Sequence, residues 1–497
     1  MDHSRAPVLE ALDHYHQEGR LPFTPPGHKQ ARGADPEVRR ILGEAVFASD
    51  VLAVSGLDDR RASHGVLKEA EALMADAVRA DHTFFSTCGS SLSVKAAMLA
   101  VAGPHEKLLV GRDAHKSVVS GLILSGLRPV WVEPCIDEER HLAHPPSPAA
   151  YERAFAEHPD ARGALVTSPT PYGSCADLAA LAEICHRRGR PLLVDEAWGA
   201  HLPFSDRLPA WAMDAGADVC VTSIHKMGSG LEQGSVFHLQ GDLIDPAVLK
   251  SRADLLGTTS PSVLIYAGLD GWRRQMMLRG SGLLSHALGL AETVRARIAE
   301  IPGLRVDGRA EYVDSGLAAD VDPLPVVIDL AELGVSGYDA ADWLHRHHRL
   351  NAHLADHRRI STQLTHADDE STTAALLEAL RELAAHAGDL RPPEPVVVPS
   401  AAGLRTEQTC LPRDAYFGEV EDVPLDRAVG RVAAEMLTPY PPGIPVALPG
   451  ERLNRSVLEY LDTGIRAGMY LPDAADPRLR TVRVLAERPA PGSSPES

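Results

Sequence analysis

Cysteine is scarce: six residues in a chain of 497, with no C-x-x-C pair, leave neither a disulfide framework nor a zinc site to be read from spacing. No stretch approaches the roughly 18 consecutive apolar residues of a membrane-spanning helix. The opening Met1-Asp2-His3-Ser4 is polar where a secretory leader would turn apolar. Together these point to a cytoplasmic protein with reduced, mostly buried thiols. Positive charge is also short, since 49 Lys and Arg against 68 Asp and Glu give a formal charge of −19. That balance argues against nucleic acid and anionic membrane surfaces and favours a cationic small molecule. No internal repeat of fixed period excuses the length, and at about 150 residues per domain the chain implies two to four domains.

Short β-rich apolar runs do recur between Asp81 and His238, at Lys107–Val110, Pro129–Val132, Ala164–Thr167, Leu192–Val194, Val219–Val221 and Ser235–His238, alternating with helical stretches. That rhythm predicts an α/β fold with a mostly parallel sheet, whose chemistry gathers at the carboxyl ends of the strands. Apolar residues from Leu284 to Ile298 at spacings of three and four predict a helix over Leu283–Glu300, stopped by Pro302-Gly303. The organisation expected is an N-terminal segment plus major domain over 1–280, a smaller α+β domain over 281–391, and a proline-rich linker with a C-terminal α+β module over 392–487. A disordered tail over 488–497 completes it.

Two motifs carry chemistry. The run Pro191-Leu192-Leu193-Val194-Asp195-Glu196-Ala197 ends a buried strand in an acid, and Ser223-Ile224-His225-Lys226 sets an amine just beyond the next strand. A carboxylate aimed at a ring nitrogen and a lysine able to form a Schiff base are what pyridoxal 5'-phosphate (PLP) needs from a protein. Either residue alone is more often an ordinary strand-end Asp or a surface Lys. Phe84–Lys95, with Cys88-Gly89-Ser90-Ser91 at its centre, passes from a strand through small residues into a helix, a turn able to cradle phosphate. His115 follows another strand, where an imidazole can stack on a cofactor ring or simply pack.

In order along the chain, these motifs resemble the Orn/Lys/Arg decarboxylase family of PLP fold type I enzymes. The likeness also takes in Leu21–Lys29 with its Pro26-Gly27-His28-Lys29, Gly56-Leu57-Asp58-Asp59, Thr258–Ser262, Pro439–Pro445 and Pro449-Gly450-Glu451. By that resemblance Lys226 holds PLP, Asp195 pairs with the ring nitrogen, His115 stacks on one face and Ala197 packs on the other. Gly89, Ser90, Ser91, Ser223 and His225 bind the phosphate, joined by Thr259 and Ser260 from a second subunit, which implies a homodimer or higher homo-oligomer. The short stretch ahead of the first motif makes the receiver-like N-terminal domain of larger members unexpected here.

The resemblance implies decarboxylation of ornithine, lysine or arginine to a diamine or agmatine. Glu451 or Glu232 is the acid expected at the substrate's cationic end. Cys88, Val94, Ile224 and Met227 depart from the usual family residues and thin the polar contacts expected near the cofactor. Cys88, Ile224 and Met227 keep open an aminotransferase or oxidase reaction on the same substrate class, while a non-catalytic relative is opposed by the intact Asp195 and Lys226. The group His345-Arg346-His347-His348 with His353 and His357 reads as a solvated helix end, and no metal is expected.

Overall fold

The computed structural model describes residues 1–52, 65–440 and 442–487. The Gly56–Asp59 motif and the tail over 488–497 lie outside them. A seven-stranded sheet organises the major domain: β1 (His82–Ser86), β2 (Lys107–Gly111), β3 (Arg128–Val132), β4 (Ala164–Thr167), β5 (Leu192–Asp195), β6 (Val219–Ser223) and β7 (Ser235–Leu239). Their order is β1-β7-β6-β5-β4-β2-β3. The five from β6 to β3 run parallel, and β7 is antiparallel to both its neighbours.

Helices cover both faces of this sheet, which is why its central strands read as unbroken apolar runs rather than alternating ones. The period of two survives in where each side chain goes. Leu192 and Val194 enter the larger core with the long helix Val263–Ala299, while Leu193 enters a second core with the helices Gly89–Val101 and Lys116–Ser125. Parallel strands put their carboxyl ends on one edge. Asp195 closes β5, Lys226 follows β6 within the short helix Ile224–Met227, and His115 follows β2.

The long helix differs from expectation, starting at Val263 and running 37 residues to Ala299 rather than beginning at Leu283. Its first half hides its periodicity because two buried positions are charged. Arg273 and Asp270, both fully buried, pair at 2.8 Å. Arg273 also donates to the backbone carbonyls of His3 and Arg5, and Asp270 accepts from the Val8 N–H. These bonds dock the N-terminal segment onto the helix, where a purely apolar search sees a break. A boundary between 280 and 281 therefore runs through a continuous helix.

Beyond it, Arg305–Asp307, Pro325–Asp329, Arg359–Gln363 and Leu354–Ala355 form a four-stranded sheet backed by the helices Gly337–His348 and Glu370–Ala385. In the C-terminal module the strands Val420–Pro424 and Thr481–Leu485 pair antiparallel, and the helix Arg455–Ala467 packs Val457 and Leu461 into a small core of its own. A loop of this module reaches back to the major domain, its Gly443 carbonyl accepting from the Lys116 N–H at 3.0 Å. Among the described residues no helix is long and apolar enough to cross a membrane.

Candidate active site

Register brings the acid and the amine together. Asp195 is the last residue of β5, opposite Val221 of the parallel β6, and two residues further along β6 Ser223 leads into the turn that holds Lys226. Asp195 is buried, and its Oδ1 accepts from the Ala197 N–H. Burial raises its pKa, while the Lys226 charge and that N–H oppose the rise. Lys226 is pulled down to about 8, mainly by burial, with Asp195 acting against the fall. Its Nζ lies 3.9 Å from the Trp198 ring centroid, and Trp198 meets His353 edge-on at 4.9 Å. Gln363 fixes the backbone here, donating to the Lys226 carbonyl at 3.1 Å and touching the Met227 sulfur.

His115 caps the helix Lys116–Ser125. Its Nδ1 accepts from the Ser117 N–H at 3.2 Å, so the proton of the neutral ring sits on Nε2. Burial, then the charges of Lys226 and Lys116, push its pKa down to about 4. A Cβ added at Gly443 would stand 3.2 Å from the imidazole, so the C-terminal module presses on this ring and only glycine fits at a φ of +88°.

The other phosphate candidates lie around the same turn. Gly89 starts the helix Gly89–Val101 with a φ of +73°, and a Cβ added there would meet nothing within 4 Å. Ser90 is half-buried and Ser91 exposed in its first turn. Ser223 is fully buried with an Oγ that has no hydrogen-bond partner. The His225 Nδ1–H donates to the Gly234 carbonyl at 3.1 Å. A buried amine, a buried carboxylate, a neutral imidazole, an orphaned hydroxyl and an open helix N-terminus form a donor set that fits PLP. Thr259 and Ser260 stand exposed between the helices Pro246–Leu256 and Val263–Ala299.

Several expectations need correction. Glu451 does not stand open to the cleft as expected: it is fully buried, its Oε2 pairs with Arg112 at 3.1 Å and accepts from the Leu448 N–H, and its Oε1 has no hydrogen-bond partner among the described residues. Glu232 is exposed, and its charge is felt by His225 rather than by Lys226. Ile224 and Met227 are buried in the main core beneath the turn, so their apolar character serves packing. The histidine run divides. His345, His347 and His348 end a helix, whereas His353 and His357 lie on the following loop; burial, then Lys226, pushes His353 down to about 4. Sequence reasoning missed His353 and Gln363 as neighbours of the lysine, because nothing but the fold brings the small domain there.

Fold and site define a class, the fold type I enzymes that use PLP. A solved serine palmitoyltransferase with PLP shares the fold at a TM-score of 0.55 and 15% identity over 72% of this chain and 85% of that one. The family model for the Orn/Lys/Arg decarboxylase major domain matches residues 6–372, and that for the C-terminal domain matches 401–473. The chain is 37% identical to an arginine decarboxylase of Halalkalibacterium halodurans, over 98% of this chain and 99% of the relative. It is 36% identical to the arginine decarboxylase of Bacillus subtilis, over 99% and 100%. Lysine decarboxylase A of Pseudomonas aeruginosa has the same fold, at a TM-score of 0.81 and 23% identity over 97% of this chain and 81% of that one. The chain belongs to the Orn/Lys/Arg decarboxylase family.

Proposed function

We propose that the chain decarboxylates a basic amino acid, with arginine the first candidate, using PLP held on Lys226. Arginine is preferred because the relatives at 36–37% identity over nearly the whole chain are named arginine decarboxylases. The observation that carries the chemistry is the half-buried Lys226 and the buried Asp195 within electrostatic reach of each other, with the neutral His115 close enough to feel the lysine's charge.

Bound there, the cofactor supplies a protonated ring into which the electron pair of a broken Cα–carboxylate bond can spread. Asp195 is the buried counter-charge that keeps a proton on a ring nitrogen. Lys226 serves twice. With a pKa near 8, about a tenth of its amine is uncharged at pH 7, against a negligible fraction for an ordinary lysine, so Nζ can act as a nucleophile. It can then hold the proton that Cα requires after CO₂ has left. His115 offers a neutral face and shields the cleft from water, its Nδ1 already committed to Ser117. Ser223, Ser90, Ser91, His225 and the Gly89 turn are the proposed phosphate ligands, with Thr259 and Ser260 contributed by a second copy of the chain in a homodimer.

The test is a panel of arginine, lysine and ornithine incubated with PLP-loaded protein, with gas and amine products read by mass spectrometry. CO₂ with agmatine in equal amounts is expected. A keto acid or hydrogen peroxide without CO₂ would refute decarboxylation and leave the cofactor assignment standing.

A further inference from the structure

Two side chains of the small domain reach Lys226, one at each end of the residue. The short helix Ile224–Met227 is a single turn, and such a turn leaves most of its carbonyls without a partner of its own. Ile224 is served, its carbonyl accepting from the Gly228 N–H at 2.9 Å. No backbone N–H among the described residues reaches the Lys226 carbonyl. Its donor is the Gln363 amide nitrogen at 3.1 Å, which also touches the Met227 sulfur. Gln363 therefore caps the turn from another domain, 137 positions further along the chain.

The other end is held through an intermediary. Lys226 Nζ lies 3.9 Å from the centroid of the Trp198 ring, whose face attracts an ammonium and whose bulk keeps water from it. Trp198 is half-buried and leans on His353, the two rings meeting at 70° with centroids 4.9 Å apart. That is the edge-on contact aromatic rings favour. Burial, then the charge of Lys226, pushes the His353 pKa down to about 4, so at physiological pH this ring contributes shape and not charge.

Both residues hang from one piece of structure. The His353 N–H donates to the Ser361 carbonyl at 2.8 Å, and Leu354 pairs with Ser361 across the antiparallel strands Leu354–Ala355 and Arg359–Gln363. The loop between these strands is clasped by a hairpin of the major domain, Cys135–Asp137 with Leu142–His144. His141 Nδ1 and His357 Nε2 stand 3.0 Å apart, and Arg358 and Arg359 donate to the carbonyls of Glu139 and Arg140. Neither His353 nor Gln363 can drift from the lysine without straining these contacts.

We infer that Gln363 and His353 are positioning residues, the first holding the Lys226 backbone and the second, through Trp198, its Nζ, so that the small domain sets the reactivity of the lysine. The inference rests on the proposed role of Lys226 as the cofactor's lysine and does not depend on which bond of the substrate is broken. Burial is the larger influence on the amine and Asp195 the smaller, so loosening either hold admits water and raises the pKa from about 8. The other titratable groups within reach of its charge, His115, His225 and His353, are all lowered mainly by burial, which leaves them neutral where the lysine titrates.

The experiment follows the free amine directly. Full-length protein without PLP is pulsed with acetic anhydride over a range of pH, and acetylation of Lys226 is read by peptide mass spectrometry against an unstructured lysine peptide. Wild type should label with a midpoint at about pH 8. Gln363→Met, which keeps the length and removes the donor, should move the midpoint up by about one unit, leaving about tenfold less free amine at neutral pH. His353→Ala should do the same, and His353→Phe, which restores an aromatic edge, should return the midpoint to within about 0.3 unit of wild type. A merely structural role would lower the melting temperature and leave the midpoint alone. If Gln363→Met melts early, the two His353 variants decide. A wild-type midpoint at lysine's ordinary value of about 10.4, or an unmoved midpoint in the folded loss variants, overturns the inference. Borohydride fixation of PLP is read separately. Protein that fixes none on Lys226 would sink the cofactor reading, while the midpoints still decide the positioning.

Discussion

Replacing Asp195 by Asn removes a charge from the cleft with almost no change of shape, and the structure gives two consequences of different kind. The first concerns Lys226. Burial alone lowers its pKa, and the buried Asp195 carboxylate is the opposing influence that leaves it near 8. Without that charge the amine should fall to near 7 or below, since an opposite charge at close range in a buried site moves a pKa by about one to three units. The neutral amine then becomes the major form at physiological pH. In cofactor-free protein the rate of PLP uptake should rise with pH through about 8 in the wild type, and its inflection should move to lower pH in Asp195→Asn. The second consequence concerns catalysis, and it has the opposite sign. A ring nitrogen that has lost its counter-charge no longer stays protonated, so turnover should fall by about 10³, equivalent to about 4 kcal/mol of transition-state stabilisation. Faster capture with poorer turnover separates an electrostatic role from general damage, which would depress both. An uptake profile identical to wild type, or turnover within about tenfold of it, would mean that the carboxylate does not act on either group.

Lys226→Ala should leave the protein folded, since the loss of its contact with the Trp198 ring is offset by removal of a charge held out of water, while abolishing CO₂ release and any borohydride-fixed cofactor. Protein that still retains fixed cofactor after reduction would refute the assignment. Arg273→Ala should cost about 3–5 kcal/mol in denaturant unfolding, because it strands the buried Asp270 and frees the carbonyls of His3 and Arg5. A cost below about 1 kcal/mol would show that the pair is not isolated from water. If Thr259 and Ser260 complete the neighbour's site, mixing inactive Lys226→Ala with inactive Thr259→Ala/Ser260→Ala subunits should restore part of the activity, since one site of the mixed dimer carries neither lesion. Subunit exchange seen by native mass spectrometry with activity still at zero would end the shared-site idea.

How far the sequence could be read depended on how local each signal was. Every strand named from an apolar run is present, because a strand buried on both faces writes its burial in four or five consecutive residues. Asp195 and Lys226 were legible for a related reason. Each sits at the end of such a run, and parallel strands deliver their carboxyl ends to one edge without further information. The helix Val263–Ala299 shows where this fails. Its second half announces itself by spacing, whereas its first half is held by Asp270 and Arg273, whose partners lie near the N-terminus. A pattern search treats a buried charge as solvent-facing.

The same failure explains the substrate acid. Glu451 reads as an available carboxylate in a loop of the last module, and the residue that claims it, Arg112, is 339 positions away. A loop sequence does not say which charge it will meet after three modules have packed. His353 was misjudged in the opposite direction. Its neighbours His347 and His348 do end a helix, yet five residues beyond the last of them the chain has turned inward and set His353 against Trp198, next to the lysine. Asp113 joins both lessons. It stands two residues before a histidine that the sequence singled out, and it passed unnoticed because its distinguishing property is the lack of a partner, which only the packed structure exhibits. Residues that act on a cofactor tend to be written in local motifs, since the strand ends supply their geometry. Residues that choose a ligand come from whichever modules happen to face the same space. In this chain a cavity lined by Arg112, Asp356, Tyr338 and Tyr460 is assembled from three such modules.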